Sequence, residues 1–318
     1  MKFVDSKKIE EIVTMREVIN TIEEYYSNDT EKDSHVPERL FINDGDNTAI
    51  LMPSFFEDYY AAKVIGIAPG NAKIGEPTLR GIIVLFDRKR MKPLLLLDAR
   101  TITAIRTGAV SGVGMKYMSS DDTSTVGVIG TGDQGWTHLQ AACAVRPIKT
   151  VLINNRSPQR LEYFLKKSED SFPHIEFKPA NQEEILKEAE LIITTSTSVN
   201  PVLPYIEDID LSGKHFAGSG AFKANMQEIP DYIVKRADYI SVDSYAAFLE
   251  CGEMKTAKSL GYDENNVMDT RKLVLHGEKD SVKKGVTIFK SVGVAILDVL
   301  ASKLVYEKLK GSNLVNLN

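Results

Sequence analysis

Residues 125–135 read TVGVIGTGDQG, and the fold follows from how that string is assembled. Its first five residues form a short run without charge, as expected of a strand buried on both faces in a parallel sheet. Gly130, Gly132 and Gly135 follow at once in GxGxxG spacing, and HLQAACAVR, residues 138–146, continues as a helix. In that setting the first glycine permits the tight turn, the second lets backbone approach a pyrophosphate, and the third allows helix and strand to pack closely. Asp133 and Gln134 complete the turn, where the first amides of the helix can meet phosphate oxygens. The alternative is a glycine-rich turn in an α/β domain that holds no ligand.

Downstream of this string, strand and helix alternate. KTVLINN (149–155) reads as a second strand and SPQRLEYFLKK (157–167) as its helix, with Ser157 as N-cap and Pro158 at the first helical position. IEFKPA (175–180), NQEEILKEAE (181–190) and LIITTST (191–197) repeat the alternation, and KHFAGSG (214–220), RADYISVDS (236–244) and RKLVLHG (271–277) extend it with further strands. The rhythm predicts a doubly wound parallel sheet. The second strand ends in Asn154, Asn155, Arg156 and Ser157, without the acid that receives both ribose hydroxyls of NAD. An amide, an arginine and a hydroxyl suit a 2'-phosphate, so NADP(H) is expected in preference to NAD(H), a solvated Arg156 being the alternative. Thr195 and Ser196, at the end of a parallel strand, are expected to contact cofactor ribose or phosphate or else to form a plain turn before Asn200 and Pro201.

Upstream, MKFVD (1–5) is strand-like, and a helix carries Val18, Ile19, Ile22 and Tyr25 on one side. AILMPSFF (49–56), YYAAKVIGIAP (59–69), LRGIIVLFD (79–87) and KPLLLLDA (92–99) read as strands of an antiparallel or mixed sheet. Asp87, Arg88, Lys89 and Arg90 fit a hairpin turn between two of them. Residues 101–118, small and apolar, predict a tightly packed helix. After Gly285, VTIF (286–289) is strand-like and leads into a helix with an apolar side around Val294, Leu297, Val299, Leu300 and Leu304, able to return to the first part of the chain.

A chain of 318 residues exceeds the size at which one core stops growing, so two domains are expected. With 43% hydrophobic and 26% charged residues and a net charge of -5, it reads as a folded protein without a nucleic-acid-binding surface. No run has the length of a membrane span, and the first residues carry lysine and glutamate where a signal peptide needs apolar side chains, so a cytoplasmic protein is expected. Cys143 and Cys251 lack metal-ligand spacing, and no metal site is expected.

Several separated motifs are more specific than the glycine turn. PTLRGIIVLFD (77–87), LLLLDARTITAIRTGAVSG (94–112), VGVIGTGDQG (126–135), ITTSTS (193–198), GSGAFKANMQEIP (218–230), VDSYAAFLECGEM (242–254) and IFKSVGVAILDV (288–299) resemble, in order and along the whole chain, the ornithine cyclodeaminase and mu-crystallin family. The resemblance implies a Rossmann domain (121–289) inserted in a second α/β domain for substrate binding and dimerisation (1–120 plus 290–318). It further implies a homodimer and NAD(P)-dependent chemistry at an amino acid carbon. By position, Arg39 and Arg106 resemble the arginines that hold the substrate carboxylate, Lys63 the active-site lysine, and Thr78 a substrate-contacting threonine. A planar fork suits a carboxylate that must stay fixed while the α-carbon faces a hydride. A lysine inside an apolar strand must reach solvent or serve a pocket. The plainer readings are a surface arginine at residue 39, an exposed helix arginine at 106 and a turn residue at 78. Ser291 and Gly293 stand near nicotinamide if the terminal helix returns to the crevice.

One position departs from the family. Cyclodeaminases carry an aspartate that handles the side-chain amine during ring closure, and counting back from Glu228 that position is Phe222, which can neither take a proton nor pair with an ammonium group. Phe222 would instead wall an apolar or planar substrate site. The expectation is therefore an NAD(P)H-dependent oxidoreductase acting on the C–N bond of a small α-imino or amino acid, either a cyclic ketimine reductase or an amino acid or opine-type dehydrogenase. A cyclodeaminase with another acid in the missing role, and a mu-crystallin-like small-ligand binding protein, are the alternatives.

Overall fold

Apolar strands and the helices between them build the computed structural model, which describes residues 2–28, 32–263, 265, 267–276 and 280–311. Two units result, Met1–Arg106 with Val294–Asn318, and Thr107–Gly293. The first is a mixed α/β unit and the second a Rossmann-like unit inserted within it. Residues 312–318 of the expected outer domain lie outside the described residues.

The outer unit contains β1 (Lys2–Val4), β2 (Ser34–His35), β3 (Leu40–Asp44), β4 (Asn47–Phe56), β5 (Tyr59–Ile67), β6 (Leu79–Asp87) and β7 (Lys92–Asp98). They form one sheet in the order β1-β7-β6-β5-β4-β2, with β3 also paired to β4. Pairing is antiparallel except between β1 and β7. Side chains alternate along each strand. Ile50, Met52, Ala61, Lys63, Ile65, Ile83, Leu85, Leu95 and Leu97 are buried, and the terminal helix Ala295–Gly311 packs against β4, β5 and β6. Pro53 falls between the stretch of β4 paired to β3 and the stretch paired to β2, where a missing N–H forfeits no bond to either. The basic stretch expected at a hairpin turn does join β6 to β7.

The inserted unit carries β8 (Thr125–Ile129), β9 (Thr150–Asn154), β10 (Glu176–Pro179), β11 (Leu191–Thr194), β12 (His215–Gly218), β13 (Tyr239–Val242), β14 (Met268–Asp269) and β15 (Thr287–Lys290). Their order is β10-β9-β8-β11-β12-β15-β13-β14, all parallel. Strand order reverses between β8 and β11, and crevices at such reversals bind ligands at the carboxyl ends of the strands. One expected strand is absent: RKLVLHG lies in the helix Thr270–His276, residue 277 being outside the described residues. Thr270, Leu273 and Val274 share its buried face at helical spacing, and Asp269 Oδ1 accepts from Lys272 N at 2.8 Å, closing the first turn. Among the described residues no helix is long and apolar enough to cross a membrane.

Candidate active site

In the outer unit, β5 aims its alternate side chains inward, so Lys63 is buried between Ala61 and Ile65. Arg106 comes from the helix Ala99–Met118, whose start is fixed by Asp98: its Oδ1 accepts from Thr101 N at 2.7 Å and Thr101 Oγ1 at 2.6 Å. Small neighbours, Ala104, Thr107 and Ala109, let that helix pack closely, and Arg106 is only 3% exposed.

Asp298, in the first turn of the terminal helix, joins the two cations. Its Oδ2 lies 2.6 Å from Lys63 Nζ and its Oδ1 accepts from Arg106 Nε at 3.0 Å. Two cations thus share one carboxylate in an apolar interior, and Arg106 Nη1 is buried with no hydrogen-bond partner among the described residues. Burying charge without a full complement of partners is costly, and a second anion at Nη1 would relieve that cost. Burial pulls the Lys63 ammonium down from 10.5 to about 8; Asp298 opposes the shift, while Arg106 and Arg39 add to it.

Arg39 precedes β3 and is half-buried, its guanidinium 5.4 Å from the Phe41 ring centroid. Its charge acts on Lys63, so the structure groups it electrostatically with the pair. Thr78 is exposed in the approach to β6, and its carbonyl accepts from Ala68 N at 2.8 Å. Asp298 did not emerge from the sequence reading, although a lone acid between Leu297 and Val299 on an apolar helix is a signal that it needs a partner.

The inserted unit forms the glycine turn. Gly130 has φ +106°, a left-handed value that disfavours side chains, and an added Cβ would meet Thr195 O at 2.9 Å. At Gly135 a Cβ would overlap Gly130 O. Gly132 differs: a Cβ there would find nothing within 4 Å among the described residues. Gly132 is also the N-cap of the helix Asp133–Val145 and supplies no side-chain cap to the first-turn amides. This cradle fits the pyrophosphate of a dinucleotide, with a helix start to receive its charge.

Around the cradle most of the expected contact residues hold the turns together. Thr195 Oγ1 donates to Gly130 O at 3.0 Å, and Ser196 N and Oγ donate to Glu228 Oε1 at 2.5 and 3.1 Å. Ser291 Oγ and Gly293 N each donate to Asp243 Oδ2 at 2.7 Å. Phe222 is 37% exposed, with Lys223 Nζ 5.7 Å from its ring centroid. The buried residues Glu228, Glu253 and Lys290 form a second charged cluster that no sequence motif revealed.

The family model described as ornithine cyclodeaminase/mu-crystallin family matches residues 2–313. The chain is 35% identical over 268 residues to a Δ1-pyrroline-2-carboxylate reductase of Bacillus cereus, covering 82% of each. Among solved structures it is similar to Thermococcus litoralis Δ1-pyrroline-2-carboxylate reductase in complex with NADH and L-proline, with TM-score 0.88, 29% identity and 98% of both chains covered. It is also similar to an archaeal alanine dehydrogenase dimer with bound NAD, with TM-score 0.87 and 27% identity, covering 98% of this chain and 97% of that one.

Both solved relatives hold the non-phosphorylated cofactor, which overturns the expectation of NADP(H) in preference to NAD(H). The end of β9 gives a physical reason. Asn154 Nδ2 donates to Ala180 O at 2.7 Å, Asn155 bonds Thr131 Oγ1 through Nδ2 and receives Ser157 N at its Oδ1 at 3.0 Å, and Ser157 Oγ caps the next helix by accepting from Arg160 N at 3.4 Å. The amides and the hydroxyl are occupied in building the turn, and of residues 154–157 Arg156 alone is exposed, with Arg160 exposed a turn further on. A phosphate site needs several converging donors, which types of residue alone do not guarantee. With a match spanning residues 2–313 and motifs seated in both units, the chain belongs to the ornithine cyclodeaminase/mu-crystallin family.

Proposed function

We propose that this protein is an NAD(H)-dependent oxidoreductase that reduces the C=N bond of a cyclic α-imino acid, with Δ1-pyrroline-2-carboxylate as the first candidate. The observation that carries the reading is the buried, unpartnered Arg106 Nη1 beside Lys63, where two cations share Asp298. Such a site favours one more anion, which a substrate carboxylate would supply. The Bacillus cereus and Thermococcus litoralis relatives are reductases of this substrate by name.

Bound nicotinamide supplies a hydride, and the inserted unit's part is to hold the dinucleotide at the cradle from Gly130 to Gly135. Arg106 takes the substrate carboxylate through its guanidinium, and Arg39 adds positive charge to the same group. Lys63 keeps its Nζ proton against Asp298 and gives it to the imine nitrogen, so that reduction consumes one hydride at carbon and one proton at nitrogen. With its acidity at about pH 8, Lys63 can both give this proton and recover it near neutrality. Phe222 stands at the position where a cyclodeaminase has its aspartate, and a phenyl ring can neither take a proton nor pair with an ammonium group. Glu228 is occupied with Ser196, Gly220 and Ala221, and Asp231 with Gln227 and Thr256, which favours reduction over cyclodeamination.

The outer face of the β4 to β7 sheet supports a homodimer. Leu51, Val64 and Ile82 form one cross-strand row, Pro53, Ala62, Val84 and Leu96 a second, and Phe55, Tyr60 and Phe86 a stacked third. Val64 is 41% and Ile82 39% exposed, an apolar face that a second copy would cover. A reductase fed by NADH belongs where that cofactor is kept, and we place the protein in the cytoplasm.

The test is to offer NADH and Δ1-pyrroline-2-carboxylate to the purified protein and identify the product by chromatography. Proline formed in step with NADH loss is the expected result. Ammonia release from ornithine with NAD+, without net change in cofactor, would replace the proposal by a cyclodeaminase.

A further inference from the structure

The cluster around Lys290 is used by neither the glycine turn nor the carboxylate-binding group. Lys290 ends β15, and its Nζ lies 3.3 Å from Glu253 Oε1 and 3.6 Å from Glu228 Oε2, all three side chains being 0% exposed. Burial pushes the Glu228 carboxyl up from the usual carboxylate range, with Lys290 opposing. Burial also works against charge on Lys290, but Glu253 and Glu228 outweigh it and the net shift is upward. The ammonium is therefore retained as a counter-charge.

The donors that converge on Glu228 set it apart. Oε1 accepts from Ser196 N and Ser196 Oγ at 2.5 and 3.1 Å, and Oε2 accepts from Gly220 N at 2.6 Å and Ala221 N at 3.0 Å. Ser196 follows β11 and Gly220 follows β12, neighbouring strands of the parallel sheet. One carboxylate thus ties two adjacent loops at the carboxyl edge of the strands, the edge at which open α/β sheets bind their ligands. The loops are in the closest approach that backbone permits, since a Cβ on Gly220 would overlap Ser196 and come within 2.6 Å of Glu228 Oε1. Glu253 holds the Glu228 backbone, its Oε1 accepting from Glu228 N at 2.7 Å. Phe222 is the residue immediately after this double tie.

We propose that Glu228 is a positioning residue for the reduction: by holding Ser196 against Gly220 and Ala221, with Lys290 as its counter-charge, it fixes the strand-end loop from which Phe222 projects. This rests on the reductase reading above. The pyrophosphate cradle from Gly130 to Gly135 receives no bond from Glu228, so loosening the tie should spare dinucleotide binding and cost alignment. Misplacement by about 1 Å remote from the chemistry can cost on the order of a hundredfold in rate.

The experiment combines steady-state kinetics on Δ1-pyrroline-2-carboxylate with NADH titration of the same samples by fluorescence, alongside thermal melts. Glu228→Gln keeps the volume but turns an NH2 toward backbone N–H groups; kcat should fall about 30- to 100-fold while the Kd for NADH stays within about threefold. Gly220→Ala leaves every charge in place and forces the same loops apart, so it should give the same signature. Glu228→Asp retains charge and shortens reach, and should recover part of the loss. A carboxylate that served folding alone would lower Tm yet leave kcat per folded molecule untouched; that outcome in any of the three variants overturns the proposal, as does loss of NADH affinity without loss of kcat. Should Glu228→Gln not fold, Glu228→Asp and Gly220→Ala decide by the same criteria. A wild-type protein that binds NADH but reduces no cyclic imino acid sinks the reductase reading, and the positioning role falls with it.

Discussion

Lys63 and Lys290 are both fully buried lysines at or within β-strands, and the two units give them opposite company. Lys63 shares the single carboxylate of Asp298 with Arg106; Lys290 has Glu228 and Glu253 to itself. The proton affinity of Lys63 falls to about 8, whereas that of Lys290 rises. In the outer unit the uncompensated charge is positive and ends in an unpartnered guanidinium nitrogen, a place for an anion to arrive. In the inserted unit Glu228 is answered by Ser196, Gly220 and Ala221, and the buried atom of this cluster left without a hydrogen-bond partner among the described residues is Glu253 Oε2, a carboxylate oxygen with nothing to donate to an anion. The stoichiometry around a buried lysine, rather than its burial, separates a binding group from a scaffold.

The largest effect should come from Arg106→Leu. It leaves Lys63 and Asp298 as a balanced pair, so folding survives, while loss of the charged contact to substrate should lower kcat/KM about a thousandfold. A loss of less than about tenfold would show that the carboxylate is held elsewhere.

Replacing each lysine by methionine sharpens the contrast in stability. Lys63→Met leaves Arg106 to balance Asp298 and should change the unfolding free energy by no more than about 1 kcal/mol, although kcat falls. Lys290→Met strands two buried carboxylates and should cost about 3–5 kcal/mol in urea unfolding. Equal costs for the two would break the comparison.

A smaller effect concerns pH. With Lys63 as the proposed proton donor, the rate should be level below about pH 8 and fall about tenfold per unit above it. Asp298 is the influence that holds this value up against burial, Arg106 and Arg39. Asp298→Asn should therefore move the alkaline limb to lower pH, by about one unit. A limb that stays in place would mean that another group supplies the proton.

Much of this was legible in the sequence. The glycine turn was marked by a buried strand before it and a helix after it, Lys63 by its place in an alternating strand, and Arg106 by its small neighbours. Asp298 and the Lys290 cluster were not, because their partners are remote: Arg106 and Asp298 are 192 residues apart, and no local pattern records such a pairing. RKLVLHG failed for a different reason, since a short apolar run suits a strand or one turn of buried helix equally well. The NADP expectation fails because residue types near Asn154 do not record that the turn itself occupies them.

The most direct measurement compares two rings, Δ1-pyrroline-2-carboxylate and Δ1-pyrroline without the carboxylate, as substrates for NADH oxidation by the wild-type protein and Arg106→Leu. The wild type should prefer the carboxylate by about a thousandfold in kcat/KM, and Arg106→Leu should erase most of that preference. Equal rates on both rings, or a preference that survives the loss of Arg106, would contradict the account.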